Sequence, residues 1–278
     1  MSIDVEPPSP GREPAADGRE SPLIHHDEPT GISHERVAIS HDPSAIPTGQ
    51  RVLALLEVLI CSDYPTQVVL TLVLAALGFR PYATNGDLIA GYVVTLALID
   101  TGLLIGLIFF CLHLHGERAR DVVLGARPVD GEVLSGVLMT FAALGIGVGI
   151  LVLIQKLAPS LHTVAHSPFQ GLLRTRRGAA VFALVLIVAG GIREEVQRAF
   201  LLHRFDGWLG GGSVGLLVTS IAFGAGHLPQ GVDAAIATGA LGAFWGFVYL
   251  RRRSAVAPIV SHSGFNLLQI VQYLALAG

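Results

Sequence analysis

Three polar insertions interrupt the otherwise apolar carboxy-terminal half of the chain, and each carries side chains suited to acid–base chemistry. Ionisable groups at membrane depth are costly and mark functional positions. A carboxylate can act as a general base, a histidine can orient a water molecule, and paired donors can hold a tetrahedral intermediate. The insertions contain Glu194, Glu195 and Arg198; then Phe223 and His227; and then His262 and Asn266. Together this set favours a site for amide hydrolysis.

The first insertion places two carboxylates next to each other. On a helix, Glu194 and Arg198 share one face, whereas Glu195 points about 100° away. Two adjacent carboxylates repel if both are ionised, and an arginine one turn later can pair with one and leave the other available. The sequence does not decide which carboxylate pairs with Arg198. A structural ion pair that locks two helices would use the same three residues.

The other two insertions are ambiguous when taken singly. His227 follows Gly224-Ala225-Gly226, and these small residues leave space beside the imidazole for a helix or a substrate. His262 and Asn266 are four residues apart and present donors on one helix face. Such a pair can stabilise an oxyanion or form a buried polar seam between helices. The ordered combination of all three insertions is what favours a hydrolytic site.

The elements that carry these residues are predicted to be membrane helices. Hydrophobic residues make up 51% of the chain and charged residues 14%, whereas soluble domains have about a quarter charged residues. A membrane-spanning helix needs about 20 apolar residues. Apolar blocks cover residues 52–79, 88–112, 133–157, 178–202, 213–229, 234–250 and 256–276. We therefore expect an all-α, multi-pass transmembrane bundle with seven or eight spans, the first block being one kinked span or two short ones.

Small residues and charge distribution complete this prediction. Glycines at 145–149 and 239–242 are predicted to form helix contact seams. Residues 1–50 hold eight of the fifteen prolines and a balance of −6, which predicts a disordered acidic tail before a membrane domain at 51–278. Lys and Arg in the short loops favour a cytoplasmic amino end. Neither part has the basic density of a nucleic-acid binder.

The ordered motifs Glu-Glu-x-x-x-Arg, Phe-x-x-x-His and His-x-x-x-Asn resemble those of the CPBP intramembrane proteases. This family comprises the CAAX prenyl endopeptidases and their bacterial Abi-type bacteriocin-processing or immunity relatives. The motifs match without substitution from Glu194 to Asn266, about a quarter of the chain. The preceding helices match only in hydrophobicity, and the first 50 residues do not match.

The resemblance implies a role for each matching position. Glu194 would activate the attacking water together with His227, and His262 and Asn266 would stabilise the oxyanion. The charge network and the pocket would be completed by Glu195, Arg198 and Phe223. The resemblance also implies a glutamate-based reaction without a cofactor, with a zinc-dependent reaction as the less favoured alternative.

The sequence thus predicts an intramembrane endopeptidase of a bacterial inner membrane, acting on a peptide or a membrane-associated protein. Two alternatives from other classes remain at this point. One is a non-proteolytic immunity or scaffold protein of the same fold, and the other is a proton-coupled transporter, although no internal repeat supports it. Three further polar residues in the apolar blocks are assigned structural roles, as partners of an arginine or as the lining of a wet cavity: Glu57, Asp63 and Asp100.

Overall fold

The computed structural model describes residues 46–84, 88–164 and 169–277. Within these ranges every regular element is a helix, apart from an isolated β-bridge between Tyr82 and Leu88. The prediction of an all-helical fold is therefore confirmed. The predicted disordered tail lies outside the described residues up to position 45, and the division of the chain at residue 50 stays a prediction.

Each predicted apolar block is helical. The helices are α1 (Thr48–Ile60), α2 (Tyr64–Ala76), α3 (Ala90–Leu114), α4 (Ala119–Val123), α5 (Val129–Leu157), α6 (Arg176–Val185), α7 (Glu194–Trp208), α8 (Gly212–Gly226), α9 (Val232–Arg252) and α10 (Val256–Ala277). A π-helical segment, Leu186–Arg193, joins α6 directly to α7. The long helices pack mainly as neighbours along the chain or across the bundle, with α10 against α5 and α8 against α9.

The number of candidate membrane spans is lower than predicted. Among the described residues, α3, α5 and α9 are long and apolar enough to cross a membrane, and α1 with α2 forms a fourth candidate bent by 43°. The other blocks fall short for two physical reasons. Helices α7 and α8 have only 15 residues each, and the polar side chains of the third insertion, His262 and Asn266, lower the hydropathy of α10. Several apolar helices still make this a multi-pass membrane protein.

The outer surface of the bundle supports that conclusion. Large apolar side chains project outward from several of the apolar helices, where water would be an unfavourable neighbour. Those that are more than half exposed include Leu72, Phe110, Leu138, Phe141 and Leu153. The predicted site residues, in contrast, are buried or half-buried inside the bundle.

Helix α8 is held close to α9 by glycines. A Cβ atom added at Gly224 would lie 2.7 Å from the carbonyl oxygen of Ala235, and one added at Gly239 would lie 3.3 Å from that of Ser220. The predicted seam at 239–242 therefore packs as expected. The seam at 145–149 was predicted wrongly at its two ends, because Gly145 and Gly149 have open space where their side chains would be.

The π-helical segment brings α10 close to the backbone that leads into α7. At Gly190, a Cβ atom would lie 2.8 Å from Nδ2 of Asn266, and at Gly191 it would collide with the Ser263 hydroxyl. Insertions of π-helix are frequent at functional sites. This close approach places the polar face of α10 beside Glu194 and Glu195.

Candidate active site

A cavity of about 440 Å³ lies between the α1–α2 break, α7 and α8. The break contributes Ser62, Asp63 and Tyr64 to its wall. Helix α8 contributes Phe223 and His227, and the start of α7 contributes Arg193, Glu194, Gln197 and Arg198. Two of the four predicted catalytic residues, Glu194 and His227, therefore line the same cavity although they belong to different helices.

The carboxylate of Glu194 has one oxygen in a hydrogen bond and the other buried and unpaired. Its Oε1 accepts a hydrogen bond from Nη2 of Arg193 at 3.3 Å. Its Oε2 lies 3.9 Å from Nε2 of His262 and makes no hydrogen bond with the described residues. The side chain is 16% exposed, so it is buried enough to be fixed but still borders the cavity.

Glu195 is fully enclosed and carries the ion pair that the sequence left undecided. Its Oε1 accepts from Nη1 of Arg198 and lies 2.8 Å from Nδ1 of His262. The guanidinium therefore pairs with the carboxylate three residues earlier and not with the one four residues earlier. As a result, Arg198 does not neutralise Glu194.

His262 is fixed by aromatic packing as well as by Glu195. Its ring stacks on Trp245 with the centroids 3.9 Å apart and the planes 17° apart. The edge of Phe223 contacts it from another side, at a centroid distance of 6.1 Å. Because Nδ1 is engaged by Glu195, only Nε2 is left to face Glu194.

His227 has a defined tautomer. Its Nδ1 lies 2.8 Å from the carbonyl oxygen of Phe223, which can only accept, so Nδ1 carries the proton in the neutral ring. The Nε2 atom is then an acceptor. The ring also packs edge-on against Phe223, which in turn lies under the guanidinium of Arg198 at 4.4 Å. Phe223 thus separates the cation from the imidazole and shapes the cavity wall between them.

Asn266 lies one turn beyond His262 on α10, beside Gly190 of the π-helical segment. Neither His262 nor Asn266 is among the residues that line the cavity. His262 approaches the cavity residues through Glu194. Asn266 lies beside Gly190, four residues before Glu194. The four predicted catalytic residues therefore lie around the start of α7. Glu194 and His227 line the cavity, and His262 and Asn266 lie behind it.

Sequence reasoning missed one member of this cluster. Arg193 lies 2.5 Å from Oδ2 of Asp63 and 3.1 Å from Oδ2 of Asp100. Both aspartates therefore have the arginine partner that was one of their two predicted roles, and Asp63 also lines the cavity. The third such residue, Glu57, pairs with Arg204 at 2.5 Å. A cation directly before two glutamates inside an apolar block was the signal that could have identified Arg193.

The side chains were also compared with the requirements of a zinc site. In the described ranges, no three His, Cys, Asp or Glu side chains are arranged to hold a metal ion. The Nδ1 atoms of His227 and His262 are engaged by the Phe223 carbonyl and by Glu195, an arrangement that zinc-binding histidines also have, with Nε2 left for the metal. What does not fit the zinc-dependent alternative is thus the missing three-ligand set among the described residues, and not the hydrogen bonding of the histidines.

Comparison with known proteins gives one match. No curated protein and no solved structure matches the chain. Residues 176–268 match the family model of the Rce1-like type II CAAX prenyl endopeptidases. The matched segment begins at α6 and includes Glu194, Glu195, Arg198, Phe223, His227, His262 and Asn266. Residues 176–268 therefore form a domain of the Rce1-like type II CAAX prenyl endopeptidase family, which is a family of peptidases.

Proposed function

We propose that the protein hydrolyses a peptide bond inside the membrane with a water molecule activated by Glu194. Family membership implies an intramembrane protease with a protein substrate. The observation that carries the more specific proposal is that Glu194 lines the same cavity as His227 and that its buried Oε2 has no hydrogen-bond partner among the described residues. A general base needs a free lone pair within reach of the water whose proton it takes.

The first chemical step is attack on the scissile carbonyl. A water molecule in the cavity gives a proton to Oε2 of Glu194 while Nε2 of His227 accepts its second hydrogen and orients it. The resulting hydroxide forms a bond to the carbonyl carbon, and the carbonyl electron pair moves to oxygen. When His262 is protonated on both nitrogens, its Nε2–H faces the Glu194 side and donates to that oxyanion, with Asn266 as the second proposed donor.

The second step releases the products. The oxyanion collapses and the carbon–nitrogen bond breaks, while the carboxylic acid of Glu194 returns its proton to the leaving amine. One water is consumed, a new carboxyl terminus and a new amino terminus form, and Glu194 is again a carboxylate. Glu195 and Arg198 remain paired throughout and hold His262 in place.

We further propose that all seven apolar blocks lie in the membrane, including the helices that are too polar or too short to qualify by composition. Helix α10 packs on α5, and the π-helical segment packs on α3, so the polar helices are enclosed by apolar ones. A substrate would reach the cavity beside the bent α1–α2 pair. The proposed location is a bacterial inner membrane with the amino end in the cytoplasm.

The experiment that tests this function compares membranes from cells that express the wild-type protein or Glu194→Gln. New protein amino termini are labelled and identified by mass spectrometry. We expect a set of termini that the wild type generates and Glu194→Gln does not. The matched control is Asp130→Asn, the same carboxylate-to-amide change on an exposed residue of α5, which should generate the wild-type set. Identical termini for the wild type and Glu194→Gln would favour an immunity or scaffold role.

A further inference from the structure

Trp245 is a fully buried residue of α9 that belongs to none of the three polar insertions. It is also not among the residues that line the cavity. A buried tryptophan needs a hydrogen-bond acceptor for its indole N–H as well as apolar neighbours. The indole N–H donates to Oγ of Ser261 at 3.1 Å, and the indole face lies against the ring of His262. One indole therefore contacts two consecutive residues of α10, and the second is a proposed oxyanion donor.

A hydrogen bond at one nitrogen does not fix the plane of an imidazole ring. The torsion about the Cβ–Cγ bond of histidine has a broad distribution, so a ring held at Nδ1 by Glu195 can still tilt about that contact. Tilting would move Nε2, which lies on the far side of the ring. A flat face against the ring removes this freedom, because a tilted ring would collide with it. The indole of Trp245 supplies such a face, with the two planes 17° apart.

We infer that Trp245 and Ser261 are positioning residues for His262. Glu195 holds the imidazole at Nδ1, Trp245 sets the plane of the ring, and Ser261 sets the orientation of the indole through its N–H. Together these contacts direct Nε2 toward Glu194, whose Oε2 lies 3.9 Å away. The inference rests on the proposed function, in which His262 stabilises the oxyanion. Neither Trp245 nor Ser261 needs to contact substrate.

The indole is itself held in place by apolar packing. It belongs to a buried cluster with Ala143 of α5, Leu241 one turn earlier on α9, and Phe265 of α10. The Phe265 ring meets it edge-on, with the centroids 5.9 Å apart. Side chains in a close-packed interior occupy defined rotamers. Trp245 is therefore a fixed surface against which the His262 ring can be oriented.

The backbone of α10 is fixed at the same level by α5. A Cβ atom added at Gly136 of α5 would lie 2.8 Å from the carbonyl oxygen of Ala257, and one added at Gly264 of α10 would lie 2.6 Å from Oγ1 of Thr140. Because the two helices approach this closely, α10 cannot turn about its axis without collisions. The freedom that remains is that of the His262 side chain, which is the part that the indole contacts.

The first test measures the ring contact without substrate, by NMR of the purified full-length protein with isotopically labelled histidine. Atoms above the face of an indole are shifted upfield by its ring current, so the imidazole resonance of His262 should be displaced upfield. His262→Gln identifies this resonance by its loss. Trp245→Leu should abolish the displacement, and Ser261→Ala should change it. The matched control is Phe182→Leu, which also replaces a buried aromatic ring but in a different cluster, and it should leave the resonance unmoved.

The second test separates positioning from stability, with a substrate found by the comparison of protein termini. Trp245→Leu should lower kcat by about 10²-fold, the loss that a small displacement of a catalytic group produces. KM should stay unchanged, because Trp245 does not line the cavity and the lost interaction is made only in the transition state. Trp245→Phe keeps a ring against His262 and should recover most of the lost rate. Phe182→Leu should be less stable than the wild type but keep its kcat.

Folded protein is selected by size-exclusion chromatography before each measurement. Either a wild-type resonance or a wild-type kcat in folded Trp245→Leu would overturn the inference, because a purely structural residue alters stability alone. If Trp245→Leu does not fold, the same two criteria apply to Ser261→Ala, which removes only a hydroxyl group. The NMR measurement needs no turnover, so retained cleavage by Glu194→Gln would contradict the proposed function without affecting that result.

Discussion

Nδ1 of His262 lies 2.8 Å from Oε1 of Glu195, the same oxygen that accepts from Arg198. One fully buried carboxylate therefore fixes two of the other residues in the family motifs. Its neighbour Glu194 forms no ion pair with Arg198 but is paired with Arg193, and it borders the cavity. Adjacent and chemically identical side chains thus take on different tasks because their surroundings differ.

We expect Glu195→Gln to destabilise the protein strongly. The variant leaves the guanidinium of Arg198, which is 4% exposed, without a carboxylate. Breaking a buried pair by removing one partner typically lowers the free energy of unfolding by about 3–5 kcal/mol. Unfolding of the purified protein by dodecyl sulfate in mixed micelles would measure the change. An unfolding curve that coincides with that of the wild type would show that Arg198 has another adequate partner.

Gly224→Ala should impair both packing and activity. The new methyl group would lie 2.7 Å from a backbone oxygen of α9, so α8 would have to move, and with it His227. Overpacking of this kind typically costs about 1–3 kcal/mol. The temperature of thermal unfolding and the rate of substrate cleavage should both decrease.

The matched control for that prediction is Gly145→Ala on α5, where nothing lies within 4 Å of the added atom. In an open position, alanine is the better helix former by about 1 kcal/mol. The control should therefore be as stable as the wild type or slightly more so. Equal losses in both variants would mean that the contact between α8 and α9 is not what holds His227.

The comparison of these two glycines also shows what the sequence could predict. The motifs identified the family whose model matches residues 176–268 and the residues that surround the start of α7, because those side chains are too polar for an apolar block. Glycine spacing alone could not distinguish Gly239, which packs against α8, from Gly145, which does not pack. Spacing likewise could not assign Arg198, since residues three and four positions earlier are both neighbours on a helix.

The ion-pair partners of Arg193 could not be predicted from the sequence, for a different reason. Asp63 and Asp100 are far apart in the chain and meet only because the α1–α2 break and the middle of α3 both pack near Arg193. Fewer helices qualify as candidate spans than there are apolar blocks in the sequence, because a block is defined by its apolar residues alone. The polar residues of the site lower the hydropathy of α10, and α7 and α8, with 15 residues each, are shorter than a membrane span.

A second charged cluster predicts how stability depends on pH. Glu117, just after α3, accepts from Nε2 of His203 at 2.9 Å and from Nη1 of Arg204 at 2.6 Å. Burial acts to raise the pKa of Glu117, but these hydrogen bonds and charges together lower it below its ordinary value. A lowered pKa stabilises the fold above the unfolded-state value, and this contribution is lost as the pH falls through the folded-state value.

Glu117→Gln should therefore be less stable than the wild type at pH 7, and the difference should shrink as the pH falls below 4.5, the ordinary value for glutamate. Thermal unfolding of both proteins at pH 7 and at a pH near 3 (about one unit below that value) measures the two differences. Asp130→Asn controls for the change in net charge. A difference of the same size at both pH values would contradict the assigned ion pairs.

The central claim concerns the base, and its most direct measurement is the cleavage rate of purified Glu194→Gln on a substrate found by the comparison of protein termini. The amide keeps the size of the side chain but cannot take a proton from water. The rate should fall by about 10²–10⁴-fold, while the protein elutes and unfolds as the wild type does. A folded Glu194→Gln that cleaves at the wild-type rate would show that another group activates the water.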